Sequence, residues 1–274
     1  MTTKAGVMGW PVAHSRSPRL HGYWLKHYGI DGSYVHLPVE PKDLPAALAK
    51  LVSDGFAGAN LTVPHKEAAL ALVHEVTPEA ARIGAINTIF VRDGRLTGAN
   101  TDAYGFITAL RAGAPDYDPR QSPAVVIGAG GAARAVCHAL QEAGCPDIRL
   151  VNRTRDRAEQ LARHLGAPAT VEPWENRSQA TENAGLLVNC TTMGMSGQPP
   201  LEIDLARLPA TAVVNDIVYT PLETPLLAAA RARGLSAVDG LGMLLYQAQA
   251  GFEGWFGVKP AVTPQLRAHV LAAS

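Results

Sequence analysis

Apolar and polar positions along the chain recur with two periods, and the order of those periods predicts its secondary structure. In the first third, four segments have the alternation or the short apolar runs of β-strands: residues 5–12, 33–40, 58–64 and 87–100. Between them, three segments repeat apolar residues at helical spacing: residues 18–29, 43–55 and 66–76. The Asp-Gly pair at positions 93–94 predicts a hairpin turn, and a hairpin indicates a mixed sheet.

The rest of the chain is more regular. A stretch rich in Pro, Gly and Asp at residues 113–123 is a natural connector. Beyond it strands and helices alternate, with strands over residues 123–128, 147–152, 186–190 and 212–216 and helices over 133–144 and 155–166. Such alternation predicts βαβ units around a parallel sheet. Two final segments, 241–257 and 263–273, predict helices.

Length and charge narrow the class of protein. At 274 residues the chain exceeds the usual size of one domain, so two domains are the default expectation. The net charge is zero and no basic stripe is present, which argues against binding to nucleic acid or to an anionic membrane. No apolar run approaches the roughly 20 residues that span a bilayer, and the first residues lack a leader-peptide pattern. We therefore expect a soluble, cytoplasmic protein.

The cysteines give no sign of a metal site. Cys137, Cys145 and Cys190 form neither a CxxC pair nor any other metal-ligand spacing. Small buried thiols are the expected explanation.

A glycine-rich turn follows the strand over 123–128 and opens the next helix. Gly128, Gly130 and Gly131 allow the backbone to turn tightly and to approach a phosphate closely, and free N–H groups at the helix start favour an anion. Ala133 stands in for the third glycine of the usual dinucleotide fingerprint, a replacement that the motif tolerates. Because the turn lies between a strand and a helix, it predicts a dinucleotide site.

The end of the following strand indicates which dinucleotide is bound. An acidic residue there binds the ribose 2′-hydroxyl of NAD, whereas arginine accommodates the 2′-phosphate of NADP. The chain has Asn152, Arg153 and Thr154 at this point, with Arg157 one helical turn further on. Guanidinium and hydroxyl groups suit a phosphate monoester, so NADP is favoured. Asp156 could instead face an NAD ribose, and the arginines could be no more than a solvated helix start.

In the first third, the sequence GANLTVPHK at residues 58–66 places Lys66 directly behind a short strand that Pro64 ends. A lysine there is either a solvated turn residue or a residue held over a pocket, where Asn60 and Thr62 offer hydrogen bonds from the same strand. This stretch alone favours the solvated turn.

Several motifs, in one order along nearly the whole chain, resemble those of the shikimate dehydrogenase family. They are GWPVAHSRSPRLH at residues 9–21, NLTVPHK at 60–66, GAINTI at 84–89, GANTDAYG at 98–105, NCTTMGM at 189–195, DIVYTP at 216–221 and DGLGMLLYQ at 239–247. The resemblance implies an oxidoreductase that reversibly reduces 3-dehydroshikimate to shikimate with NADPH, a step of chorismate and aromatic amino-acid biosynthesis.

The resemblance also implies roles for particular side chains. The substrate-binding residues would be Ser15, Ser17, Thr62, Lys66, Asn87, Asp102, Tyr219 and Gln247. The NADP-binding residues would be Gly128, Ala129, Gly130, Gly131, Ala132, Asn152, Arg153, Thr154, Arg157, Thr191, Met193, Ile217, Val218 and Gly240. The two serines would bind the substrate carboxylate, although Ser-x-Ser-Pro by itself more often caps a helix.

Lys66 and Asp102 are the implied catalytic pair. Oxidation of a secondary alcohol removes the hydroxyl proton while a hydride leaves the carbon, and an ammonium–carboxylate pair around the hydroxyl can donate, accept and orient. Whether Lys66 transfers the proton or mainly binds and polarises the substrate stays open. Taken alone, Asp102 in its Asn-Thr-Asp turn would be a helix N-cap.

We therefore expect a two-domain α/β enzyme. Residues 1–105 with 240–274 would form a mixed-sheet substrate domain, residues 106–239 a Rossmann-type NADP domain, and the active site would lie in the cleft between them. The partner would be a small molecule, and the protein a monomer or homodimer. The alternatives are a quinate/shikimate dehydrogenase with mixed NAD and NADP use, a non-catalytic dinucleotide or shikimate sensor, and a Rossmann enzyme of folate or tRNA-linked metabolism. Retention of Lys66 and Asp102 argues against a sensor.

Overall fold

The computed structural model describes residues 2–272, which divide into two α/β units. The first unit contains the residues up to Asp102 and those from Leu244 onward, and the second contains Ala103–Met243. The chain passes from one unit to the other inside two helices, α4 (Asp102–Gly113) and α8 (Leu241–Phe256). Over the described residues, no helix combines the length and the apolar composition that crossing a membrane requires.

A six-stranded mixed sheet organises the first unit. Its strands are β1 (Thr3–Gly9), β2 (Gly32–Pro38), β3 (Phe56–Leu61), β4 (Glu75–Val76), β5 (Thr88–Arg92) and β6 (Arg95–Ala99), in the order β2-β1-β3-β5-β6-β4. Strand β5 runs antiparallel to β3 and β6, whereas β1 is parallel to β2 and β3. Asp93 and Gly94 both have positive φ, as the tight hairpin turn between β5 and β6 requires. The predicted hairpin and mixed sheet are confirmed.

Helices from both ends of the chain cover this sheet. They are α1 (Ser17–His27), α2 (Leu44–Ser53), α3 (Pro78–Ile83), the later part of α8, and α9 (Pro264–Leu271); residue 273 of the predicted last helix lies outside the described residues. Helix α2 buries Leu44, Leu48 and Leu51, whose spacing places them on one helical face. In α8, Trp255 packs into the core and donates its indole N–H to the carbonyl of Ile89 at 3.0 Å.

The predicted helix over residues 66–76 is wrong. The chain there forms one 3₁₀ turn (Ala68–Ala71) and then the short strand β4. The carbonyl of Lys66 accepts the N–H of Ile86 at 2.8 Å, and the N–H of His74 donates to the carbonyl of Leu96 at 3.0 Å. These tertiary hydrogen bonds take backbone groups that a helix would have used, so the helical spacing of the apolar residues does not produce a helix.

The second unit is built on a parallel sheet. Its strands are β7 (Ala124–Ile127), β8 (Ile148–Val151), β9 (Ala169–Glu172), β10 (Leu186–Asn189), β11 (Val213–Asp216) and β12 (Ser236–Val238), in the order β12-β11-β10-β7-β8-β9. The associated helices are α5 (Gly131–Glu142), α6 (Arg155–Leu165) and α7 (Pro225–Ala232). This is the Rossmann order, in which ligands bind where the strand order reverses, outside the carboxyl ends of β7 and β10. The predicted two-domain α/β class is confirmed.

Candidate active site

Lys66 and Asp102 form a largely buried ion pair in the first unit. The Lys66 ammonium donates to Asp102 Oδ2 at 2.5 Å, and the two side chains are 15% and 6% exposed. Asp102 is the first residue of α4, and its N–H donates to Asn100 Oδ1 at 2.9 Å. Its carboxylate therefore serves Lys66 and is not a helix cap. Within residues 2–272 Asp102 is the polar partner of the ammonium, so two of the three N–H donors remain for a ligand.

Asn87 joins this pair to Gln247. The Asn87 Nδ2 lies 2.9 Å from Asp102 Oδ1 and 3.0 Å from Gln247 Oε1. The backbone N–H of Thr101 donates to Asn87 Oδ1 at 2.8 Å, which fixes the orientation of the Asn87 amide because a backbone N–H can only donate. The segment after β3, the residue before β5, and helices α4 and α8 thus bring four of the sequence-predicted residues into contact, and these residues form a largely buried cluster of donors and acceptors.

The two serines form a separate pair at the start of α1. Ser15 Oγ accepts the N–H of Ser17 at 3.3 Å and lies 3.2 Å from the Ser17 hydroxyl oxygen. Between them, Arg16 donates to the carbonyl of Val270 at 2.8 Å, near the end of α9. The C-terminal helix therefore holds the serine loop in place. Two adjacent hydroxyls at a helix N-terminus can bind an anion.

The other two predicted substrate residues stand apart from these groups. Thr62 follows β3, and its hydroxyl has no hydrogen-bond partner within the part of the chain that the structure describes. The Thr62 methyl group packs so closely on Gly9 that a Cβ at position 9 would lie 2.4 Å from it. Tyr219 lies in the second unit, beyond β11.

The glycine-rich turn of the second unit leaves room for a phosphate. Gly128 has φ of +118°, and a Cβ there would lie 3.2 Å from the Cys190 carbonyl group. A Cβ at Gly130 would meet nothing within 4 Å, so the chain runs past open space. Helix α5 begins directly after Gly130 and lacks a side-chain cap, which leaves its first N–H groups for an anion. Ala129 and Ala132 complete this turn.

One arginine beyond β8 is available for a second anion. Arg153 is exposed and has no hydrogen bond or ion pair within residues 2–272. Arg155, two residues on, is held by Glu159 at 2.8 Å. The amide of Asn152 donates to the carbonyl of Thr154 at 2.7 Å and fixes the loop. Arg157, in the first turn of α6, is exposed as well. These groups fit the 2′-phosphate of a dinucleotide.

The remaining predicted cofactor residues belong to loops at the carboxyl ends of β10 and β11, and Gly240 precedes α8. They are Thr191, Met193, Ile217, Val218 and Gly240. The Thr191 hydroxyl donates to Asn189 Oδ1 at 2.7 Å and accepts the N–H of Met193 at 3.0 Å. A Cβ at Gly240 would lie 2.1 Å from the Ile217 carbonyl oxygen. Thr191 therefore holds its loop through hydrogen bonds, and Gly240 allows a close backbone approach; the sequence indicates neither role.

Asp216 is the buried centre of these loops. Its Oδ1 accepts from the Asn189 amide and from the N–H of Val218, both at 3.0 Å, and its Oδ2 accepts from the Thr224 hydroxyl at 2.7 Å. Burial opposes the negative charge and raises the pKa of Asp216 from 3.8 to about 6, although these hydrogen bonds act in the opposite direction.

We expect Asp216→Asn to alter how stability depends on pH. Because the folded-state pKa of Asp216 lies above its unfolded value, the folded protein binds more protons between pH 4 and 6, and stability is lost as pH rises through that range. In wild type, the ionisation of Asp216 lowers the free energy of unfolding by roughly 2 kcal/mol between pH 4 and 7. The asparagine variant lacks this component, so its thermal midpoint relative to wild type should rise with pH. A difference that stays constant from pH 4.5 to 7.5 would contradict the assignment.

The three cysteines are free thiols. Burial raises the pKa of Cys137 and of Cys190 well above the usual value, so neither thiol is primed as a nucleophile near neutral pH. Over residues 2–272, no group of three or more His, Cys, Asp or Glu side chains is placed to hold a metal ion.

Two family models match the chain. The model described as "Shikimate dehydrogenase substrate binding domain" matches residues 7–89, and the one described as "Shikimate / quinate 5-dehydrogenase" matches residues 115–196. The Shikimate dehydrogenase (NADP(+)) of Paramagnetospirillum magneticum is 61% identical over 269 residues, with 98% of each chain covered. That of Rhodospirillum rubrum is 58% identical over 272 residues, covering 97% of this chain and 96% of the relative.

Two solved structures are similar to this chain over nearly its whole length. The crystal structure of shikimate 5-dehydrogenase from Thermus thermophilus in complex with NADP(H) and shikimate has a TM-score of 0.87 and 41% identity, with 98% of each chain covered. The quinate dehydrogenase from Corynebacterium glutamicum in complex with NAD has a TM-score of 0.90 and 31% identity, covering 98% of this chain and 99% of the other.

Proposed function

The chain belongs to the shikimate dehydrogenase family and is an NADP-dependent oxidoreductase that interconverts 3-dehydroshikimate and shikimate, and we propose that Lys66 and Asp102 handle the proton of this reaction. The observation that carries the proposal is the buried ion pair, in which the ammonium keeps two N–H donors for a ligand. In reduction, an N–H of Lys66 donates its proton to the ketone oxygen as the alcohol forms. In oxidation, the amine takes the proton back, and Asp102 keeps the group in place.

The other polar groups of the first unit suit a small hydroxylated carboxylate. We propose that Ser15 and Ser17 bind the carboxylate through their adjacent hydroxyls and the N-terminus of α1. Thr62, whose hydroxyl lacks a protein partner within residues 2–272, is assigned to a ring hydroxyl, as are Asn87 and Gln247. Such a set disfavours analogues that lack the matching hydroxyl, because the Thr62 hydroxyl and the two remaining N–H donors of Lys66 would then have no partner.

The second unit supplies the residues that hold NADP. The turn over residues 128–132 and the start of α5 accept the pyrophosphate, and Arg153 with Arg157 accepts the 2′-phosphate. The loops that Asp216 joins carry Met193, Ile217 and Val218, whose apolar side chains are assigned to the nicotinamide. When bound, NADPH supplies the hydride that reduces the ketone carbon.

Initial rates with shikimate and with quinate, each with NADP and with NAD, test this function. We expect shikimate with NADP to give the highest kcat/KM, by at least about tenfold, because Arg153 matches the charge of a 2′-phosphate. Similar efficiency with quinate, or with NAD, would support the alternative of a broader quinate/shikimate dehydrogenase. Absence of turnover with every pair, together with NADP binding in a titration, would contradict an enzymatic role and favour a sensor.

A further inference from the structure

A buried hydrogen-bond chain continues from the candidate catalytic pair into the core of the first unit. It runs from Tyr34 on β2 through Asn60 on β3 and Thr88 on β5 to Asn87. None of these four side chains is more than 7% exposed, so their polar atoms depend on partners inside the protein. The Tyr34 ring is held by the parallel ring of His21, with centroids 4.0 Å apart.

The direction of the protons is fixed at the inner end of this chain. The Asn60 Nδ2 lies 3.1 Å from the Asn87 carbonyl, which can only accept, so Asn60 Oδ1 faces the Tyr34 hydroxyl at 2.6 Å. The same Nδ2 lies 3.1 Å from Thr88 Oγ1 and donates to it. Thr88 therefore cannot return its single proton to Asn60. It donates to Asn87 Oδ1 at 3.0 Å, which is closer than Thr101 Oγ1 at 3.3 Å.

At the Asn87 end of the chain, the hydrogen-bond acceptors outnumber the protons available to them. The two protons of Asn87 Nδ2 face three acceptors within 3.0 Å, on Thr101, Asp102 and Gln247. The Thr101 hydroxyl has one proton for Asn87 Oδ1 or Gln247 Oε1, both at 3.2 Å. Because Asn87 Oδ1 already accepts from the Thr88 hydroxyl and from the N–H of Thr101, the hydroxyl proton of Thr101 goes to Gln247 Oε1. Of the two protons on Asn87 Nδ2, one then goes to Thr101 Oγ1 and the other is left for Asp102 Oδ1.

We propose that Thr88 is a positioning residue for Asp102. The proton of Thr88 keeps one N–H of Asn87 on Asp102 Oδ1, which leaves Oδ2 for Lys66. Without that proton, Gln247 competes with Asp102 for the same N–H, and the carboxylate loses a fixed donor. The inference rests on the proposed function, in which the Lys66–Asp102 pair handles the substrate proton.

Two substitutions at Thr88 separate its proton from its packing. We expect Thr88→Val, which keeps the shape but not the hydroxyl, to lower kcat for shikimate oxidation about tenfold and to leave KM for NADP within about twofold. Thr88→Ser, which keeps the hydroxyl but not the methyl group, should retain kcat within about twofold. A structural role alone would lower the thermal midpoint of both variants without this split in kcat.

Thr181→Val is the matched control. Thr181 is also fully buried, and its hydroxyl donates to the Ser178 carbonyl at 2.7 Å, outside the hydrogen-bond chain described above. We expect its kcat to stay within about twofold of wild type.

The outcomes distinguish this inference from the function on which it rests. Three results would each overturn the role of Thr88: full kcat in Thr88→Val, a loss of kcat in Thr88→Ser as large as in Thr88→Val, or an equal loss in Thr181→Val. The proposed function would still stand in these cases, because wild type turns over shikimate. Wild type that turns over neither substrate with either dinucleotide would overturn the proposed function, and the inference with it.

Discussion

Lys66→Met should lower kcat for shikimate oxidation by about 100- to 10,000-fold, the range over which a positioned acid–base group contributes to catalysis. Methionine keeps most of the side-chain length and removes the ammonium, so the proton of the substrate hydroxyl loses its partner. Asp102 keeps the N–H of Asn87, which limits the disturbance to the site. The measurement is steady-state NADPH formation, with circular dichroism to check folding. KM for NADP should stay within about twofold, since its predicted binding residues lie in the second unit.

Lys50→Met is the matched control for this substitution. Lys50 also pairs with an aspartate, Asp54, at 2.7 Å, but the Lys50 side chain is 71% exposed. An exposed ion pair contributes only about 0–1 kcal/mol to stability, and Lys50 is not one of the predicted site residues. We therefore expect Lys50→Met to keep the kcat and KM of wild type. Lys66→Arg addresses the open question about the role of the lysine, because arginine keeps the charge but does not release a proton at neutral pH. If Lys66 transfers the proton, the arginine variant should be as slow as Lys66→Met. Near-wild-type turnover of Lys66→Arg would show that the charge alone suffices.

Arg153→Ala should raise KM for NADP by about 10- to 100-fold and leave kinetics with NAD unchanged. A hydrogen bond to a charged group contributes about 1.5–3 kcal/mol. Because Arg153 has no hydrogen bond or ion pair within residues 2–272, its removal should cost the contact with the 2′-phosphate and no contact inside the protein. The readout is the ratio of kcat/KM for NADP to that for NAD, which cancels any general effect on the site.

Arg155→Ala provides the comparison at the same helix start. Arg155 is also exposed but is engaged by Glu159, so we expect its removal to change the NADP to NAD ratio by less than about twofold. Equal effects of the two substitutions would contradict the assignment of Arg153 to the 2′-phosphate. A parallel loss with NAD would contradict it as well.

The fold could be predicted where burial leaves a distinct pattern. Strands β7 and β10 lie at the centre of the parallel sheet with all four residues buried, so each is visible as a short apolar run. Strands β9 and β12 lie at the sheet edges, are only partly buried and are not predicted. The segment over residues 66–76 has helical spacing, but Lys66 and His74 form backbone hydrogen bonds with Ile86 and Leu96, which local periodicity cannot reveal.

The candidate site likewise has residues that the sequence motifs indicate and contacts that they do not. Lys66, Asn87 and Asp102 belong to short motifs, and their place in those motifs predicts them as site residues. Thr88 and Thr101 stand beside them in the same motifs, but their contribution depends on which way each proton points, and that direction depends on contacts across the sheet. The support that α9 gives to the serine loop joins residues 254 positions apart, so no local pattern indicates it.

The division of the first unit between the two ends of the chain sets the order in which a nascent protein can complete it. The second unit is continuous, so all its strands have left the ribosome while the first unit still waits for α8 and α9. Gln247 and Trp255 are made after the second unit, and both bond to groups that are made before it. A chain that terminates after Met243 therefore contains every strand of both sheets but lacks Gln247 of the candidate site and the helix that holds its serine loop. The complete substrate site therefore requires the residues that follow the second unit.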